Sequence, residues 1–415
     1  MNTKFAFSPL LVVLFLSLTA SSIAQETASV SDSPAKQLLA GESWEEFCER
    51  LKQLGKVVLS DGVPKTEIER TEGYRYLLSA LAESIDVSLH RSDVTEPQLR
   101  FNITKYRQPA MPSADARYLS AEITGDGLYR LSGTLGNAPH ITVQAYGGVS
   151  ALESFDIRKR VDAAGNFSFL IGDPEKTPGA APISSAASML FLREYYSDWE
   201  TERPSKFFLE RLDRPDRGTP ITSSAMADIL EATASKLESQ VPYWKGRMDQ
   251  IRASHDNSLA PAGLMGDVGL GDILYGTGWF ELEPDEAMLI ELSAPDAVHW
   301  SFQLGNYWGE AIDFANYTSS TNGHQATASS DGRYRIVIAH NDPGVPNWLD
   351  TAGHREGMIF YRYHLAKSKP MPTARVVKRS DLPALLPKDT VKITSVERRA
   401  EIDSRRAAIT RRRTP

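Results

Sequence analysis

From Val298 to Leu304 the chain alternates: Trp300, Phe302 and Leu304 stand two apart with polar residues between them. Successive side chains of an extended chain point to opposite sides, so this spacing predicts a strand with one face on a core. Similar short runs recur. Arg117 to Ile123, Leu128 to Thr134, His140 to Tyr146, Asn166 to Ile171, Met189 to Tyr196 and Lys206 to Leu212 form one set. Trp279 to Leu282, Ala287 to Leu292, Tyr334 to His340 and Met358 to His364 join Val298 to Leu304 in a second. Turn residues divide them, including Ala164-Gly165 and Gly125-Asp126-Gly127, and the latter predicts a hairpin. Many short strands with frequent turns predict antiparallel packing rather than a parallel sheet.

Other segments have helical spacing. Trp44, Phe47, Leu51 and Leu54 share one face of a helix that ends near Gly55. A second helix starts at Thr66, with Glu69 at the capping-box distance, and Tyr74, Leu77, Leu78, Leu81 and Ile85 form its predicted buried stripe. Met226, Ile229, Leu230, Thr233 and Leu237 mark a third, which Pro242 is expected to kink or divide. The predicted fold is mainly β, α+β overall. It has two antiparallel β-sandwich or jelly-roll-like domains with N-terminal helices, a helical connector and a basic C-terminal helix. The expected divisions are 1–24, 25–95, 96–218, 219–262, 263–387 and 388–415.

Residues 1–24 read as an export signal: Lys4, an apolar run from Phe5 to Leu18, then Ser22-Ile23-Ala24 before the cut. The expected location is periplasmic or secreted, with no transmembrane segment after cleavage. The formal charge is −7, and loss of Lys4 takes it to −8, which argues against nucleic-acid binding. Residues 388–415 oppose that trend with nine Lys/Arg against four Asp/Glu. They are expected to form a helix whose arginines pair with the acidic body; contact with anionic lipid, lipopolysaccharide or nucleic acid is the other reading. Cys48 is the one cysteine, so no intramolecular disulfide can form, and its helical spacing with Phe47 and Leu51 predicts a buried thiol.

Motifs for chemistry are sparse. Gly147-Gly148-Val149-Ser150-Ala151 lacks the last glycine of a nucleophile elbow. The Gly-rich stretch Gly263 to Gly278 lacks the Gly-Lys-Ser/Thr ending of a phosphate loop and is expected to be a flexible connector. The eight histidines show no His-x-x-x-His spacing, and neither a metal nor a cofactor is predicted. The densest cluster is His340, Asp342, Asp350 and His354, the candidate set for a hydrolase with or without a metal ion. A ligand pocket is the alternative, built from Asn306, Trp308, Asn322, His324, Gln325, Asn347 and Trp348. Indole can stack on a sugar or line an apolar site while amides fix orientation, and Trp308, in a turn-like setting, is the tryptophan expected to be exposed.

The run Asp342-Pro343-Gly344-Val345-Pro346-Asn347-Trp348-Leu349-Asp350-Thr351-Ala352-Gly353 resembles the signature of the domain-of-unknown-function 1214 family. Pro284-Asp285-Glu286, His299 to Leu304, Asn306-Tyr307-Trp308, Arg193-Glu194-Tyr195 and Asp198-Trp199 agree with that resemblance. Where the family often carries an Asn-Pro-Asp-type run, this chain has Pro112-Ser113-Ala114-Asp115. The family implies no activity. Three functions therefore stand as expectations: an envelope protein binding a small hydrophobic or carbohydrate ligand, a hydrolase using the His/Asp cluster, or a structural scaffold.

Overall fold

The computed structural model describes residues 33–108, 111–214, 220–265 and 271–413. The predicted export signal, residues 1–24, lies outside the described residues. The chain forms four sheets in two face-to-face pairs, with long helices packed on one outer face.

The first pair contains β1 (Arg100–Phe101), β2 (Ala116–Glu122), β3 (Tyr129–Thr134), β4 (His140–Gly147), β5 (Ser150–Ser154), β6 (Asn166–Gly172), β7 (Ala181–Pro182), β8 (Met189–Tyr195) and β9 (Lys206–Arg211). One sheet runs β1-β2-β8-β4-β5 and the other β7-β6-β3-β9. Val143, Ala145, Leu190 and Leu192 of the first meet Leu131, Phe167, Phe169 and Ile171 of the second. The Gly125–Gly127 turn does not close a hairpin, because β2 pairs with β8 while β3 pairs with β6 and β9. It carries the chain from one layer to the other.

The second pair contains β10 (Ile273–Glu281), β11 (Glu286–Ser293), β12 (His299–Gly305), β13 (Ser320–Asn322), β14 (Arg333–Ala339), β15 (Trp348–Asp350), β16 (Glu356–His364) and β17 (Thr373–Lys378), ordered β10-β16-β12-β13 and β15-β14-β11-β17. Trp300, Phe302 and Leu304 enter the core between these sheets, as the alternation requires, with Met288, Ile290, Ile336 and Ile338 opposite. Pairing is antiparallel except for β14 with β15 and β6 with β7. The second half of the Gly-rich stretch is strand rather than connector: a Cβ on Gly276 would lie 2.0 Å from the Tyr361 ring, so only glycine lets β10 pass there.

The helices are α1 (Pro34–Ala40), α2 (Glu42–Leu54), α3 (Glu67–Ser92), α4 (Ser223–Ser254), α5 (Leu382–Leu385) and α6 (Ser395–Arg413). Thr66 caps α3 by accepting from the Glu69 amide, as the sequence predicts. Most of the predicted stripe does not hold: only Leu77 and Leu81 pack on the core, Tyr74, Leu78 and Ile85 are exposed, and Gly73, Tyr76, Ala80 and Val87 are buried. The helix packs along α4 and against Trp308, and close approach there favours its small residues. Pro242 does not divide α4, because Leu237, Val241, Met248 and Ile251 seat both halves in one core. Cys48 is exposed, which corrects the expected buried thiol: Phe47 fills the α2 core instead. The basic C-terminal segment folds onto the body as α6, with Arg398, Arg405 and Arg412 buried.

Candidate functional site

The outer faces of β12 and β16 explain why every residue of both strands is buried. One face of each enters the second core. The other presents Phe360 and Met358 to the helices, and His299, Gln303, Arg362 and His364 to the first sheet pair. Gln303 accepts the Ala114 amide at 2.9 Å and donates to the Pro112 carbonyl at 2.7 Å. Arg362 donates to the Met111 carbonyl at 2.9 Å.

Three histidines meet in this seam. His140 at the start of β4 places Nε2 2.9 Å from Asp272 Oδ2 and Nδ1 3.0 Å from His364 Nδ1. Asp272 accepts, so His140 carries hydrogen on Nε2. One of the two Nδ1 atoms therefore carries the hydrogen that the other accepts. Burial, followed by the neighbouring His299, His140 and Arg362, drives the His364 imidazole well below its ordinary value, so it is neutral. His364 Nε2 has no hydrogen-bond partner.

His299 belongs to a second array. Its Nδ1 lies 2.8 Å from Ser197 Oγ and its Nε2 3.4 Å from Asp115 Oδ2. Asp115 also accepts Trp199 Nε1 at 2.8 Å and Asn322 Nδ2 at 2.7 Å. Burial works to raise the Asp115 carboxyl, but His299, Asn322 and the charge of Arg412 outweigh it and hold the group below its ordinary range. Arg412 stacks on Trp199 at 4.3 Å and Tyr196 at 5.2 Å. Desolvation pulls its guanidinium down to about 10. His299 and Asp115 are buried, whereas Ser197 is half-buried.

No hydrogen bond joins any two of His340, Asp342, Asp350 and His354, the predicted hydrolase set. His340 contacts the Thr351 hydroxyl at 2.9 Å and the Leu282 carbonyl at 3.1 Å. Asp342 caps its own turn at the Gly344 amide and pairs with Arg398 at 2.9 Å. Asp350 accepts the Ala352 amide at 2.8 Å, and burial raises its carboxyl. His354 reaches away to Glu72 of α3 at 2.8 Å. Asn306 also donates to Glu72, at 2.9 Å, and Arg75 links Glu72 to Glu310 at 3.1 and 2.9 Å. Burial raises Glu310. Burial also works against the Glu72 charge, but the His354 hydrogen bond and charge prevail and lower it.

The predicted ligand residues are scattered too. Trp308 is 2% exposed, against the expected open position. It stacks on Tyr76 and donates to the Glu69 carbonyl at 2.7 Å. A Cβ on Gly73 would lie 2.6 Å from this indole, so that glycine makes the space. Asn322 is fully buried on Asp115, His324 is exposed, and Gln325 donates its backbone amide to Asn322 at 3.1 Å. Trp348 is buried, with Nε1 on the Ala339 carbonyl at 3.0 Å and Arg398 over its ring at 5.1 Å. Asn347, at φ 57°, accepts the Thr327 amide and donates to the Thr327 and Arg335 carbonyls. It thereby shapes a half-open groove of about 240 Å³, whose walls include Ser329, Arg335, Pro346, Asp389 and Thr390.

No family model and no curated protein matches the chain. Among solved structures, an uncharacterised protein from Burkholderia cenocepacia is similar at 27% identity and a TM-score of 0.78, over 83% of this chain and 99% of that one. The two share a fold. A protein from Vibrio parahaemolyticus aligns over 74% of this chain and 98% of its own, at 12% identity and a TM-score of 0.44. Among the described residues, no helix is long and apolar enough to cross a membrane, and no group of three or more His, Cys, Asp or Glu could hold a metal ion.

Proposed function

We propose that this is an exported envelope protein that binds a small polar ligand of the carbohydrate class in the groove beside Asn347. The groove carries the reading. Its wall is part of the Asp342–Gly353 run that resembles the family signature. Hydroxyls of Thr327, Ser329, Ser330 and Thr390 share it with Val337 and Leu386. Sugars need that mixture of hydroxyl partners and apolar surface. The volume of about 240 Å³ lies just below the ~300–1,000 Å³ usual for small-molecule clefts, which suits a single sugar ring in a shallow site. An indole-stacking mode is not part of this reading, because Trp279, Trp300, Trp308 and Trp348 are all core residues. Export rests on the leader pattern of residues 1–24.

Asn347 shapes the groove and is not the residue to mutate. Val391 borders the groove and is 58% exposed, so Val391→Trp should block the groove without disturbing the core. Titration of mono- and disaccharides followed by NMR should shift resonances of Ser329 and Thr390, and the variant should weaken binding at least tenfold. Equal binding by the variant, or no shifts at millimolar sugar, would remove the groove as the site.

A further inference from the structure

The array at Ser197 is independent of that groove. Ser197 follows β8 in a turn that Asp198 braces by accepting the Glu200 and Thr201 amides at 2.9 and 3.1 Å. The hydroxyl reaches a histidine from the other sheet pair, and that histidine reaches an ionised acid. A charged Asp115 places hydrogen on His299 Nε2, which leaves the Nδ1 lone pair facing Ser197 Oγ. Trp199 and Asn322 hold the acid in place from its other side. These are the three roles of a nucleophile relay: an attacking hydroxyl, a base in the right tautomer, and a buried anion that orients the base. The Asp115–His299 approach of 3.4 Å is an ion-pair distance and not a hydrogen bond, so His299 Nε2 has no hydrogen-bond partner in this structure, and the contact tightens when His299 gains charge.

We propose that Ser197, His299 and Asp115 form an acyl-transfer site for neutral or cationic esters. Ser197 Oγ attacks the acyl carbon while its proton passes to His299 Nδ1. The tetrahedral centre collapses, the ester C–O bond breaks, and the alcohol leaves with the proton from Nδ1. Water then repeats the sequence on the acyl-serine: its proton goes to Nδ1, the acid is released, and the proton returns to Ser197. No oxidant, metal or second substrate beyond water is consumed.

The surroundings restrict the substrate. The Ser197 amide donates to Glu202 Oε2 at 2.7 Å, so it is not free to stabilise an oxyanion. That favours activated esters over amides, because a missing oxyanion donor costs about 10²–10³ in rate. Asp198 and Glu202 flank the hydroxyl and disfavour anionic acyl groups.

The test uses the intact protein and a biotinylated fluorophosphonate. Intact mass and peptide mapping should show one adduct, on Ser197, absent from Ser197→Ala. His299→Gln should slow labelling by about 10²-fold or more, the usual contribution of a general base. Because His299→Gln alters a buried network, a second variant guards against misfolding. Ser197→Cys, made together with Cys48→Ala, should be alkylated by iodoacetamide at pH 6 at least tenfold faster than Cys48 in the parent protein. Activation of the introduced thiol supports the base. Absence of adduct on the folded parent, retention of the adduct in Ser197→Ala, or alkylation of the new thiol no faster than Cys48 would each overturn the proposal.

Discussion

A single proton decides the contact between His140 and His364. The Nδ1–Nδ1 distance of 3.0 Å holds one hydrogen and has no room for two. His364 is held below its ordinary value in the folded chain, so as pH falls the unfolded chain adds a second proton to this imidazole before the folded chain does. The stability it contributes is present above about pH 6.5 and is lost as pH drops below it. His354 works the other way. Burial opposes its charge, but Glu72 raises it above the ordinary value, so its contribution is present at low pH and disappears as pH rises through the folded value. Melting temperatures between pH 7.5 and 5.5 should therefore separate the two. His364→Gln should flatten the fall toward pH 5.5, and His354→Gln should steepen it. An unchanged slope in His364→Gln would mean that the seam takes its proton elsewhere. Trp308 offers a simpler test at this scale. Trp308→Ala should cost about 3–5 kcal/mol in urea unfolding, since it empties a packed indole site and removes the bond to the Glu69 carbonyl.

Among the elements, α6 shows how an arginine-rich segment can belong to a core. Arg398 bonds Asp342, Glu401 and the Val345 carbonyl while covering the Trp348 ring. Arg405 bonds the Phe314 carbonyl and the Ser320 hydroxyl. Arg398→Ala should destabilise the protein by about 3 kcal/mol, the lower end for breaking a buried pair, since Asp342 keeps some contact with water. Arg398→Lys should lose less, and a urea midpoint equal to the parent's in Arg398→Ala would place α6 outside the cooperative fold. The strands were legible in the sequence because alternation and turns are local. The Gly125–Gly127 crossing was not, because sheet membership depends on partners such as β8, nearly seventy positions away. Most of the α3 stripe failed for a related reason: a helix enclosed on several sides buries its small residues, which hydrophobic spacing overlooks.

Across the whole molecule, the two sheet pairs are joined by polar contacts that need both. Asp115 meets His299 and Asn322, and His140 meets His364. Such seams couple the halves, because a displacement of one half against the other would leave polar groups that stay buried without their partners. Calorimetry at pH 7.5 should give one transition, with agreement between calorimetric and van't Hoff enthalpies. Two resolved transitions would show that each half stands without the other. The same arrangement explains why Ser197, His299 and Asp115 escape a sequence reading. No motif joins them, and Ser197 and His299 lie 102 positions apart. Only the alternation of β12 hinted that His299 faces away from its own core.

Those separations also set a schedule. Asn322 and Asp115 are 207 positions apart, and Arg411 and Trp199 are 212. The entropy of closing loops that long must be met before their contacts return anything, so local hairpins and helices gain their shape while the seam is still open. In a stopped-flow refolding experiment, the far-ultraviolet signal should recover ahead of the burial of Trp199. Throughout that interval the protein has its helices and local hairpins and none of its histidine seam.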